Sequence, residues 1–90
     1  MLTLDCTYKK LKNIVKETGI TIINQNNGYK NSQDCENKCH GTQGCQNFDY
    51  CPDSFECYPH DKQLTGLELQ TVEHGTCFTS YKSCNPGNTI

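Results

Sequence analysis

Cys35-Glu36-Asn37-Lys38-Cys39, then Cys45-Gln46-Asn47-Phe48-Asp49-Tyr50, then Cys57-Tyr58 is the most informative run of this 90-residue chain. Two cysteines four positions apart share one face of a helix, because the helical side-chain period is 3.6 residues. Asn31 or Ser32 offers an N-cap oxygen ahead of them. Asp34 and Glu36 suit the positive end of the helix dipole, and Lys38 and His40 the negative end. Gly41 suits the C′ position. These signals predict a helix from about Gln33 to His40, too short to stand alone. Cys35 and Cys39 are placed to pin it. Cys45 to Tyr50 then reads as a strand with Phe48 and Tyr50 on one face. Pro52-Asp53-Ser54 is turn chemistry, and Phe55-Glu56-Cys57-Tyr58 returns as a partner strand.

On the N-terminal side, Leu2, Leu4, Cys6 and Tyr8 alternate with polar residues, as in a half-buried first strand. Ile20-Thr21-Ile22-Ile23 reads as a second strand. Gln25-Asn26-Asn27-Gly28 reads as a turn, since Asn-Gly accepts positive φ. On the C-terminal side, Pro59 to Gly66 is a polar loop. Leu67 to Val72, His74-Gly75 and Thr76 to Cys84 form a last hairpin, and Asn85 to Ile90 a loose tail. No internal repeat is visible. The order predicts an α+β fold: an antiparallel β-sheet of about five strands with one short α-helix packed across it. One domain spans 1–90, with an ordered core of about 4–84 and a tail at 85–90.

Composition explains why the cysteines matter. Hydrophobic residues make up 33%, and that count includes eight cysteines. Without them roughly a quarter of the chain is left to bury, which is little for a small domain. Covalent links must replace part of the core. An even number of cysteines in a short polar chain reads as a disulfide framework in an oxidising compartment. The rival is zinc, with Cys35, Cys39, His40 and Cys45, or Cys51, Cys57 and His60, as ligands. Those spacings do not form the usual pair of short Cys knuckles. No metal and no cofactor is expected.

The net charge is −2, and all eight basic residues are lysine. Neither fact favours nucleic acid, for which clustered arginine is the better reader. No apolar run is long enough to span a bilayer. The start, Met1 to Asp5, lacks the apolar stretch of a signal peptide, so Met1 reads as an expression start on a mature fragment of a longer secreted chain.

The ordered combination of Cys-x-x-x-Cys on a helix, Cys-x-x-Phe-x-Tyr on the next strand, and Cys-Tyr on the one after resembles the apple/PAN module. The resemblance covers Cys6 to Cys84. Sequence alone leaves about 105 pairings open for eight cysteines. The resemblance implies Cys6–Cys84, Cys35–Cys57 and Cys39–Cys45. Cys51 and Cys77 lie outside its six-cysteine pattern, and a Cys51–Cys77 bond is expected as what that implied pairing leaves. The resemblance further implies a secreted adhesive role, as in coagulation-type zymogens, growth-factor N-domains and apicomplexan microneme adhesins. A secretory organelle such as a microneme is then a compatible location.

Catalytic signatures are missing from the sequence. There is no nucleophile elbow, His-Glu-x-x-His or phosphate-cradling Gly loop. His40, His60 and His74 fall at a helix end, in a loop and in a turn, where a solvated side chain is expected. Asp49, Asp53, Glu56 and Asp61 cluster locally, but acid–base work needs burial that a turn-rich hairpin does not offer. A non-enzymatic binding module is expected, with a host-cell or partner protein or glycan as ligand, and with neighbouring modules of a parent chain as further contacts. Two surfaces are candidates. Phe55, Tyr58, His60, Asp61 and Lys62 combine aromatic faces with polar groups, as sugar sites do. Lys9, Lys10, Lys12 and Lys16 form a basic cluster that would attract sulfated glycans. A structural spacer in a tandem array and a secreted inhibitor-like scaffold are the alternatives.

Overall fold

The computed structural model describes residues 4–16, 18–19, 27–65 and 70–86. Among the described residues are β1 (Leu4–Lys10), β2 (Ile14–Val15), α1 (Ser32–His40), β3 (Asn47–Cys51), β4 (Glu56–His60), β5 (Thr71–Val72) and β6 (Phe78–Pro86). All pairings are antiparallel. One sheet has the order β1-β6-β3-β4, and β2 pairs with β5 in a second, two-stranded sheet.

Helix α1 starts where its capping chemistry begins. The Asn31 side-chain oxygen accepts the Asp34 N–H at 2.9 Å, which satisfies one of the orphan donors of the first turn. The two buried residues of the helix are Cys35 and Cys39, on the face turned to the sheet. Gly41 closes the helix with φ −87° and ψ −1°, a right-handed conformation that any residue adopts. The left-handed residue of this reversal is Gly44, at φ 86°. It lets Cys45 swing back under the helix, with the Cys45 N–H donating to the Thr42 carbonyl at 3.1 Å.

The register sorts the strands into two faces, because alternate side chains point to opposite sides. Phe48 and Tyr50 of β3, Cys57 and Pro59 of β4, Phe78 of β6 and Tyr8 of β1 face the helix. Here Cys35, Cys39, Cys45, Phe48, Tyr50, Cys57 and Phe78 form the main core, with Tyr8 and Tyr29 packed against it. Tyr8 meets Phe48 at 5.8 Å between ring centroids, Tyr50 meets Phe78 at 6.0 Å, and the Lys10 ammonium sits 4.1 Å above the Phe78 ring. Burying each aromatic side chain contributes roughly 1.5–3 kcal/mol. The opposite face carries a smaller cluster of Val15, Leu64 and Tyr81, joined by Leu11. The Val15 N–H donates to the Thr79 hydroxyl at 2.9 Å, which draws β2 onto that face.

Four disulfides tie these layers: Cys6–Cys84, Cys35–Cys57, Cys39–Cys45 and Cys51–Cys77. These are the pairs set out above, and no cysteine is left as a thiol. Cys6 and Cys84 are direct cross-strand partners of β1 and β6. Cys35–Cys57 staples α1 to the middle of β4, and Cys39–Cys45 closes the turn after the helix. Cys51–Cys77 continues the β3–β6 register one step beyond Tyr50 and Phe78. By chain entropy, closing the 78-position loop of Cys6–Cys84 contributes about 4.5 kcal/mol, and the 6-position loop of Cys39–Cys45 about 2 kcal/mol.

Several expectations need correction. There are six strands in two sheets among the described residues, against about five in one sheet. The last hairpin does not form: Thr71 and Val72 pair with Val15 and Ile14, while β6 lies between β1 and β3. The segment 59–66 is not simply a polar loop, since Pro59 and His60 belong to β4 and Leu64 is buried. Asn85 and Pro86, assigned to the tail, continue β6 and pair with Asp5 and Leu4. Leu2, Ile20 to Ile23, Gln25, Asn26 and Leu67 to Leu69 lie outside the described residues. Gly28 has the positive φ, 89°, expected of its turn.

Candidate functional site

Strand β4 separates two functional ends. At its start, the turn from β3 holds Phe55 with φ 56°, left-handed for a bulky residue, and with 47% of its surface exposed. The conformation is fixed from outside. The Phe55 carbonyl accepts the Tyr29 N–H at 3.0 Å, and the Tyr50 hydroxyl donates to the Tyr29 carbonyl at 2.5 Å. Beside it the Ser54 hydroxyl donates to one Glu56 oxygen at 2.5 Å, and the Tyr58 hydroxyl donates to the other. The Ser54 bond, then the Tyr58 bond, hold the Glu56 carboxyl below the usual range. The Glu56 carboxylate, with burial second, pushes the Tyr58 phenol up to about 12.

At the other end of β4, the chain beyond His60 packs against the segment that follows β2. The Lys62 N–H donates to the Thr18 carbonyl at 3.1 Å. The Asn47 side-chain amide donates to both the Thr18 carbonyl at 3.2 Å and the Lys62 carbonyl at 2.6 Å. Asn47 is fully buried, so this amide joins two loops from below. Its oxygen has no hydrogen-bond partner among the described residues. Gly19, at φ 88°, is required by the close approach: a Cβ there would lie 2.9 Å from the Lys62 nitrogen and would collide with the Asp61 carboxylate. Lys16, Thr18, Gly19 and Lys62 line a shallow cleft of about 400 Å³.

Between the two ends, Asp49 occupies the sheet face away from the helix. It accepts from the Thr79 hydroxyl at 2.5 Å, and its other oxygen lies 3.2 Å from His60 Nε2. His60 is 6% exposed, so the solvated side chain expected for it is corrected. The strand continues through Pro59 and carries the imidazole onto the sheet face. The Thr79 hydroxyl donates to the Asp49 carboxylate while it accepts the Val15 N–H. The trio serves to hold β3, β4, β6 and β2 in register.

The sequence-derived surfaces are redistributed. Phe55 and Tyr58 belong to the turn end, whereas Asp61 and Lys62 sit at the cleft end and His60 is buried between. Lys9 and Lys10 point to opposite faces of β1, Lys10 toward Phe78, and Lys16 lines the cleft. Lys12 is exposed in the bend after β1. Of the carboxylates, Asp49 is engaged on the sheet, Asp53 is exposed in the turn, and Glu56 and Asp61 are at opposite ends of β4. His40 and His74 are exposed. With every cysteine in a disulfide, neither zinc set has a thiolate to offer. Sequence reasoning missed Thr18, Gly19, Asn47 and Thr79. Only Gly19 carries a local signal, as a glycine able to take positive φ.

Four disulfides are compatible with an oxidising, secretory setting. Among the described residues no helix is long and apolar enough to cross a membrane. No family model, curated protein or solved structure matches this chain.

Proposed function

We propose that this chain is a non-catalytic extracellular adhesion module of the apple/PAN kind, recognising a protein or carbohydrate on a cell surface. The observation that carries the reading is the cleft of Lys16, Thr18, Gly19 and Lys62, mounted on loops that Asn47 and the disulfide frame fix in place. A rigid scaffold displaying polar loops is the usual design of a recognition module, since little ordering entropy is lost on binding. The cysteine and aromatic pattern from Cys6 to Cys84 supports the family reading. The two lysines favour a ligand rich in acidic groups.

A glycan array and a cell-binding assay on the oxidised domain test this. Binding is expected, and a Lys16→Ala/Lys62→Ala double variant should lose at least about tenfold in affinity. Silence of the parent domain on every glycan and every cell surface would sink the reading.

A further inference from the structure

We propose that the β3–β4 turn of one copy of this chain docks into the Lys16–Lys62 cleft of a second copy, with Phe55 as the anchor. The proposal names a partner for the cleft on which the functional reading rests. Phe55 combines two features that stability alone does not favour. It is the one non-glycine residue with positive φ among the described residues, and its ring stands exposed. A left-handed backbone costs a bulky residue of this kind, and such strain persists where the surroundings impose it and a side chain must be aimed. Tyr29 and the neighbouring Ser54–Glu56 bond impose it here, so the backbone that carries the ring is already ordered.

The two ends of β4 are complementary. The turn presents an aromatic ring flanked by Asp53 and Glu56, and the cleft presents Lys16 and Lys62 around a space of about 400 Å³. A ring seated there takes ammonium groups on its faces, and the carboxylates of the turn meet the same charges. The chain already uses this contact internally, where Lys10 lies 4.1 Å over Phe78. Phe55 and Lys62 lie beyond opposite ends of β4, whose extended backbone alone spans about 15 Å. One copy therefore cannot satisfy both halves by folding the turn onto its own cleft. Unlike surfaces meeting head to tail make a chain of copies, open or closed into a ring.

The test is complementation. The oxidised parent domain is expected to associate with rising concentration in sedimentation equilibrium, and less so as salt rises. Phe55→Gly breaks the turn and Lys16→Glu/Lys62→Glu breaks the cleft. Each alone should associate at least about tenfold more weakly. An equal mixture of the two should form a one-to-one dimer that goes no further, through the intact cleft of the first and the intact turn of the second. Glycine accepts the left-handed conformation, so Phe55→Gly should melt no lower than the parent, which separates lost docking from lost folding. A parent that stays monomeric at millimolar concentration overturns the proposal, as does a mixture that stays monomeric. Glycan and cell binding by Phe55→Gly, whose cleft is intact, reports on the functional reading alone.

Discussion

A hydrogen bond from Tyr58 to Glu56 sets the acid–base behaviour of the β3–β4 turn. The bond favours the protonated phenol and the ionised carboxylate together. Tyr58 is raised from 10.0 to about 12, so the native state holds a proton that the unfolded chain has released. Its contribution to stability is fully present below 10.0 and is lost as pH rises through about 12. Glu56 acts with the opposite sign: its contribution is present above the ordinary carboxylate range and is lost as pH falls through its lowered value. An ultraviolet phenolate titration of the native domain should show Tyr58 ionising near 12, and Glu56→Ala should bring it back toward 10.0. An unmoved titration in that variant would remove the carboxylate as the cause. Tyr8 and Tyr50 are raised too, by burial first and by Glu36 and Asp34 second, so assignment needs a Tyr58→Phe control. The residues that sequence reading recovered were those with a strong chemical signature, the cysteines and the Phe48–Tyr50 alternation. Asn47 and Thr79 escaped it, because a buried polar side chain looks like a surface one until its partners across the sheet are known.

Helix α1 and the turn after it contain two glycines with different duties. Gly41 is right-handed, and a Cβ there would meet the Asn37 carbonyl at 3.5 Å and the Lys38 carbonyl at 4.0 Å, both ordinary contacts. Gly44 is left-handed with open space around it, so only its backbone excludes other residues. Gly41→Ala should therefore leave the stability unchanged or raise it, by about 0.4–1 kcal/mol of lost chain entropy in the unfolded state. Gly44→Ala should destabilise by about 1–2 kcal/mol. Equal effects in chemical denaturation would contradict this assignment. The helix itself was legible, within one residue at its start, because cap, charges and paired cysteines agreed. Strand β2 was not, since two residues carry no period, and Thr71–Val72 was read as strand but with β6 and not β2 as its partner. Nor was the extension of β4 through Pro59, which a strand tolerates only where a missing N–H is harmless. As an edge strand of the sheet, β4 offers that position.

The molecule as a whole relies on bonds of unequal accessibility. Cys35, Cys39, Cys45 and Cys57 are buried, and Cys51 and Cys77 nearly so, while Cys6 is exposed. Thiol attack needs access to a sulfur. Graded reduction with peptide mapping should open Cys6–Cys84 first and the helix-stapling bonds last. Complete reduction should unfold the domain, because the loop-closure terms rival the 5–15 kcal/mol typical of a whole small domain. A fully reduced chain that kept its tertiary circular dichroism would contradict this.

The Cys6–Cys84 clamp also fixes how tension travels. β1 and β6 are neighbours, and their cysteines join the incoming and outgoing strands with Cα atoms 4.0 Å apart. A load applied at the two ends runs through that covalent bridge and shunts past the 78-position loop behind it. Tension on the ends would then bypass the turn, the cleft and the helix, which would keep their shape under load.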